Sequence, residues 1–152
     1  MEFDATDRAL INALQESCRR TAAELAETLG LTLPTCHRRL QKIRESGVLT
    51  REVALVDPAH SPKPLTVIIE VTLERITDPA RRAFAAKVRA VGEIMQCFAV
   101  SGAADFLLIA QVADINDYYE FVNQHFVNDE AIRHFKTAFA LNRLKFETAI
   151  PF

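Results

Sequence analysis

Along the first fifty residues, apolar side chains recur three or four positions apart in three separate stretches, the period of a helix with one buried face. Leu10, Ile11 and Leu14 form the first stripe, Leu25, Ala26 and Leu29 the second, and Cys36, Leu40 and Ile43 the third. Each stretch carries its own start signal. Asp4 is a helix N-cap, with Asp7 in the first turn where negative charge suits the helix dipole. Thr21 and Glu24 have capping-box spacing, and Gly30 stands where that second helix must stop. Thr32 caps the third helix, Pro34 is tolerated in its first turn, and Gly47 closes it. The run from Val48 to Val56 is rich in β-branched and apolar residues and predicts a strand or short wing leaving this three-helix unit.

Pro58, Pro62 and Pro64 then interrupt the pattern and predict a linker over 58–64 between an N-terminal domain, 1–57, and a second domain, 65–152. Leu65 to Glu74 reads as a strand. Asp78-Pro79 opens a helix with Phe84, Val88 and Val91 facing inward, and Gly92 ends it. Ile94 to Ser101 and Asp105 to Val112 read as strands joined by a tight turn at Gly102-Ala103-Ala104. Asp114 caps another helix with Tyr118, Phe121 and Val122 inward, and a last strand is expected from about Phe135 to Glu147. The order β-α-β-β-α-β predicts a ferredoxin-like sandwich, so the chain is of the α+β class. Its sheet would leave one apolar face bare, which a two-fold dimer would cover.

Composition changes this picture little: 49% hydrophobic and 25% charged residues are ordinary for a packed protein. The net charge of −2 speaks against a nucleic-acid partner until it is resolved locally. Between Leu31 and Arg51, the five basic residues Arg38, Arg39, Lys42, Arg44 and Arg51 face one acid, Glu45. Phosphates respond to that nearby field. Helix, tight turn and basic helix together form the pattern of a helix-turn-helix that reads double-stranded DNA.

On a helical wheel the third helix turns Cys36, Leu40 and Ile43 inward and presents Pro34, Thr35, Arg38, Gln41, Lys42 and Glu45 outward. Arg38 is therefore the candidate for a base-edge contact. Thr35 and His37 lie near the end that enters a groove. Arg39 sits on a flank, placed to grip phosphate or to brace the fold. Lys42, Arg44, Arg51, Arg19 and Arg20 are candidates for phosphate contact.

The three cysteines, Cys18, Cys36 and Cys97, have no Cys-x-x-Cys spacing, and the four histidines are scattered. Neither a disulfide framework nor a metal site is expected, and a reducing cytoplasm fits. Cys36 is expected to be an inert core residue rather than a redox switch. No signal peptide and no membrane-spanning run is expected.

Several motifs coincide with a known pattern. They are Asp4-x-x-Asp7, Leu14-Gln15, Glu24-Leu25-Ala26, Leu31-x-x-Pro34-x-Cys36-x-x-Arg39-Leu40 and Glu45-x-Gly47-Val48-Leu49. Gly102-x-x-Asp105-Phe106 and Thr137-x-Phe139-x-Leu141 follow in the second half. With these the chain resembles the Lrp/AsnC family of bacterial and archaeal regulators over nearly its whole length. The resemblance implies a winged helix-turn-helix joined to a βαββαβ (RAM-type) domain that senses a small amino acid, with no cofactor beyond that effector. It also implies dimers assembling into tetramers or octamers, and action on DNA in the cytoplasm, at the nucleoid. The effector site implied lies between dimers, near Ser101, Gly102, Ala103, Ala104, Asp105, Phe135 and Thr137. Phe135 stands where some relatives carry a hydroxyl, which tilts the expectation towards an apolar or sulfur-containing amino acid. The alternative is a tetrapyrrole (siroheme-type) decarboxylase of related fold, which would need basic or imidazole groups that the turn at 101–105 does not offer.

Overall fold

The computed structural model describes residues 2–152. The chain divides into two compact units, the first formed by residues up to Leu55 together with Leu144–Phe152, the second by Val56–Arg143.

In the first unit, α1 (Ala5–Glu16), α2 (Ala22–Leu29) and α3 (Leu33–Glu45) close around Leu10, Ile11, Leu14, Leu25, Cys36, Leu40 and Ile43, all buried. The N-caps Asp4, Thr21 and Thr32 are those legible in the sequence, while Asp7, read there only as a dipole charge, adds a reciprocal bond. Asp4 accepts from the Asp7 amide while the Asp7 carboxylate reaches back to the Asp4 amide, and Thr21 and Glu24 form the same reciprocal box. Gly30 takes the left-handed conformation (φ 64°), letting the Leu31 amide bond back to the Ala26 carbonyl at 2.8 Å. That turn is what sets α3 against α2.

The wing expected over 48–56 is absent among the described residues. That segment joins no strand ladder, and Val53, Leu55 and Val56 are exposed. β-Branched residues favour an extended backbone, but a strand also needs a partner ladder, and none is present here.

The second unit holds one antiparallel sheet in the order β2-β3-β1-β4, built from β1 (Leu65–Leu73), β2 (Ile94–Ala99), β3 (Phe106–Val112) and β4 (Ile132–Phe139). Helices α4 (Asp78–Arg89) and α5 (Ile115–Val122) contribute Phe84, Val88, Phe121 and Val122 to one core. The strands supply Val67, Ile69, Val71, Leu73, Phe106, Leu108, Ala110 and Val112. Alternation along β1 and β3 puts Ile68, Leu107 and Ile109 on the opposite face, where they are half-buried.

Several boundaries differ from the sequence expectation. Thr77 caps α4, with Asp78 and Pro79 already inside it, and the helix stops at Arg89 rather than Gly92. The strand expected to reach Ser101 ends at Ala99, and its neighbour begins at Phe106 rather than Asp105. The last strand starts earlier and ends much earlier than expected. β4 pairs Phe139 with Val67 near the start of β1, the Ala140 amide bonds to the Thr66 carbonyl, and the ladder has no further partner. Leu141, inside the span expected for this strand, lies past its end and is wholly exposed.

Residues Leu144–Phe152, expected in the second domain, belong to the first unit. There the Gln15 carboxamide donates to the Ile150 carbonyl at 2.8 Å and accepts from the Ile150 amide at 2.7 Å. Asn12 donates to the Phe152 carbonyl, and the Phe152 ring meets Phe3 edge-on at 5.7 Å.

After α5 the chain runs directly into a π-helical turn, Asn123–Val127. Lys87 of α4 donates to the His125 carbonyl and to Asp129, tying α4 to the segment after α5. No helix among the described residues is long and apolar enough to cross a membrane.

Candidate nucleic-acid interface and effector site

The basic helix α3 is anchored by its apolar side and its start. Thr32 accepts from the Thr35 amide, and its hydroxyl donates to the Thr35 hydroxyl at 2.8 Å, so Thr35 takes part in the cap. Cys36 is fully buried, and burial pushes its thiol above the usual range, which disfavours the reactive thiolate. Pro34, Arg38, Gln41, Lys42 and Glu45 are exposed, as the wheel has them, and so are His37 and Arg44, while Thr35, also expected outward, is half-buried.

The exposed cations are not equivalent. Arg39 Nη1 lies 2.7 Å from Asp7 Oδ1 and 2.7 Å from Asp4 Oδ2. Lys42 Nζ lies 2.9 Å from Asp7 Oδ2 and 5.8 Å from the centre of the Phe3 ring. Asp7 itself is wholly buried, so its two oxygens are compensated by two cations from α3. Of the two roles offered for Arg39, bracing is the one the geometry displays. Arg44 meets Glu52 at 3.5 Å and Arg20 meets Glu16 at 3.7 Å, both exposed pairs of the weak kind. Among the described residues, Arg19, Arg38 and Arg51 have no ion pair. Gln41 and Glu45 bond to each other one turn along from Arg38.

Burial raises the Asp7 carboxyl, but the Lys42 and Arg39 donors more than reverse this and hold it below the usual range. Asp4 is lowered first by the Asp7 amide and then by Arg39, while Arg39 is raised by both acids. The sequence pattern assigned Asp7 to the helix dipole. Its second role was signalled only by a carboxylate adjoining the apolar stripe of Leu10 and Ile11.

In the second unit the turn after β2 holds Ser101, Gly102 and Ala103 exposed, with Gly102 at φ 140°. Asp105 is turned inward. Its carboxylate accepts from the Leu73 amide at 2.9 Å, its amide donates to the Val71 carbonyl, and its carbonyl accepts from Val100. These bonds fasten the turn to β1 where the pairing of Thr72 and Leu73 shifts register. The carboxylate therefore serves as a turn anchor.

Phe135 is half-buried, 5.6 Å from Phe126, and Thr137 is half-buried two residues on. The Tyr118 hydroxyl donates to Thr137 Oγ1 at 2.7 Å, and the Tyr118 ring meets Phe139 edge-on at 5.0 Å. Tyr118 was assigned to the core from its helical position. The signal for its further role is that a tyrosine among phenylalanines needs a partner for its hydroxyl. Neither of the two best-formed concavities among the described residues takes in the turn 101–105 or Thr137. One of about 270 Å³ is bounded by Arg89, Met95 and Cys97, and one of about 210 Å³ by Glu74, Arg75 and Glu130.

Comparison with known proteins agrees with this architecture. Residues 66–150 match the Lrp/AsnC ligand-binding domain, and residues 3–44 match the AsnC-type helix-turn-helix domain. An uncharacterised HTH-type transcriptional regulator of Sinorhizobium fredii is 38% identical over 151 residues, covering 99% of this chain and 89% of that one. The leucine-responsive regulatory protein of Rhizobium meliloti is 30% identical over 145 residues, covering 95% and 93%. The crystal structure of a Neisseria meningitidis transcriptional regulator in complex with L-Met superposes with a TM-score of 0.92 at 33% identity, covering 99% of this chain and 97% of that one. Nothing in these relatives supports the decarboxylase alternative. With a capped helix-turn-helix ahead of a βαββαβ ligand-binding domain, the chain belongs to the Lrp/AsnC family of transcriptional regulators.

Proposed function

We propose that this regulator reads DNA through the exposed face of α3, with Arg38 contacting a base edge in the major groove and Arg19 and Arg51 contacting phosphates. The observation that carries this is the unpaired state of Arg38 on a helix whose neighbouring cations, Arg39 and Lys42, are tied to Asp7. His37, Thr35, Arg44 and Arg20 flank that contact. An α-helix fits the major groove, and a guanidinium there is suited to bidentate contact with guanine.

The effector is a small amino acid with an apolar or sulfur-containing side chain. It binds where Ser101, Gly102, Ala103, Ala104 and Thr137 meet a neighbouring subunit, with Phe135 shaping the apolar side. What supports this is the L-Met complex of the Neisseria relative, the apolar Phe135 and the exposure of the turn 101–103, open to a second copy. Asp105 acts by holding the turn. The half-buried apolar face of the sheet, Ile68, Leu107 and Ile109, supports a two-fold dimer as the building block of a tetramer or octamer acting at the nucleoid. Effector binding shifts the assembly equilibrium and so the spacing of several reading helices.

The test is a thermal-shift screen of the full chain against the twenty amino acids, L-methionine first, with light scattering for assembly. A ligand of the native state raises Tm by mass action. L-Methionine or another compact apolar amino acid is expected to raise Tm and change the scattering mass. A flat screen removes the effector half of the proposal. DNA binding that persists unchanged in Arg38→Ala removes the other half.

A further inference from the structure

A carboxylate inside the first unit divides the cations of the reading helix into two classes. Asp7 is fully buried, yet both of its oxygens are occupied by side chains of α3: Oδ1 by Arg39 at 2.7 Å, Oδ2 by Lys42 at 2.9 Å. The exposed pairs of Arg44 with Glu52 and Arg20 with Glu16 can be exchanged for phosphate at little cost, because water solvates the acid left behind. Asp7 cannot be left in that way. Withdrawing its cations would strand a charge in the apolar core beside Leu10 and Ile11. Lys42 is held further by the Phe3 ring, and Arg39 by Asp4.

We propose that Asp7 is a positioning residue for DNA recognition. It keeps Arg39 and Lys42 off the phosphates and locks α3 on α1 in the pose that directs Arg38 outward. The inference rests on the reading of α3 as the helix that contacts DNA. Its functional content is a ratio. Each cation withheld from the backbone lowers binding to every sequence alike, while contacts that depend on sequence are kept. Asp7 thus favours discrimination at the expense of general affinity.

The experiment measures binding of the full-length protein to a short random-sequence duplex, and to a duplex selected from that pool, by fluorescence anisotropy over a range of salt. Each phosphate neutralised contributes about −0.9 to the slope of log Kobs against log salt. Asp7→Asn is expected to steepen that slope by about one, for Lys42 released, and by up to about two where Arg39 also leaves Asp4. Affinity for the random duplex should rise and the preference for the selected duplex should fall several-fold. Glu120→Gln, which removes the same unit of charge from exposed α5 in the second unit, should leave the slope unchanged.

An Asp7→Asn slope equal to wild type, or an equal steepening in Glu120→Gln, overturns the proposal. A purely structural role would lower both affinities at constant slope. If Asp7→Asn is unfolded by circular dichroism, Lys42→Met decides. An unchanged slope supports the withheld state of Lys42, and a slope shallower by about one overturns it. Failure of the underlying reading looks different: Arg38→Ala would then bind both duplexes as the wild type does.

Discussion

Arg39 reaches across 32 residues of sequence to place Nη1 2.7 Å from Asp7 Oδ1, joining the reading helix to the first helix of the chain. The pair is asymmetric. Asp7 is wholly buried, whereas the Arg39 side chain is 24% exposed, with its Nε buried and lacking a hydrogen-bond partner. Arg39→Met would leave Asp7 with Lys42 as its one cation beside the Asp4 amide and would also remove that orphaned Nε. The expected loss is about 1–3 kcal/mol, below the ~3–5 kcal/mol of breaking a fully buried pair, because both cations reach solvent. Urea unfolding followed by circular dichroism measures it, and a variant as stable as wild type would show the pair to be neutral.

Acid should loosen both units. Asp7 and Asp4 in the first unit are held below the ordinary carboxylate range, as are Glu93, by Lys63, and Asp129, where burial is outweighed by Lys87 and the Ala131 amide together. A carboxyl lowered in the folded state contributes its full stability above its unfolded pKa, about 4, and loses it as pH falls through the folded value. Stability should therefore be flat from neutral pH down to about 5 and fall steeply below 4. Arg39→Met should shift the start of that fall, since Asp7 then loses one of the donors that lower it. Urea midpoints measured across pH test this, and parallel curves for variant and wild type would contradict it.

Arg38 is the position where substitution should change which DNA is chosen. Arg38→Ala is expected to cost about 1–3 kcal/mol on a selected duplex and much less on a random one. Arg51→Ala should weaken both together and make the salt slope shallower by about one. Competition anisotropy with the two duplexes distinguishes these outcomes.

Tyr118 gives the effector proposal a handle outside its expected contacts. Its hydroxyl donates to Thr137 Oγ1, which leaves the Thr137 proton for a different acceptor. Tyr118→Phe should weaken L-methionine by roughly 0.5–1.5 kcal/mol, and Thr137→Val by at least as much, with melting in the absence of ligand little changed. Isothermal titration is the measurement. Unchanged affinity in Thr137→Val would move the site elsewhere.

Legibility followed the range of the interactions. The N-cap at Asp4, the capping pair Thr21–Glu24, the turn at Gly30 and the buried stripe through Cys36, Leu40 and Ile43 all act within one or two helical turns, and the sequence displayed each of them. The length of β4 was not local information. Alternation continues past Phe139, but the ladder stops where β1 begins, some seventy residues earlier in the chain. The segment 48–56 carries strand-forming residues and lacks a partner strand, so composition alone overstated it. At the candidate sites, the wheel put Arg38 on the exposed side and offered bracing for Arg39, but only packing shows that Asp7 engages Arg39 and Lys42 together, and that Asp105 is spent on the Leu73 amide.

The clasp between Gln15 and Ile150 recognises a peptide group, giving one hydrogen bond to its carbonyl and taking one from its amide. The isoleucine side chain points into solvent, 72% exposed. Such a grip is blind to the identity of the residue it holds. Position 150 can drift through almost the whole amino-acid alphabet without loosening, with proline excluded because it has no N–H to offer. One step further on, Pro151 is harmless, since the clasp asks nothing of that nitrogen.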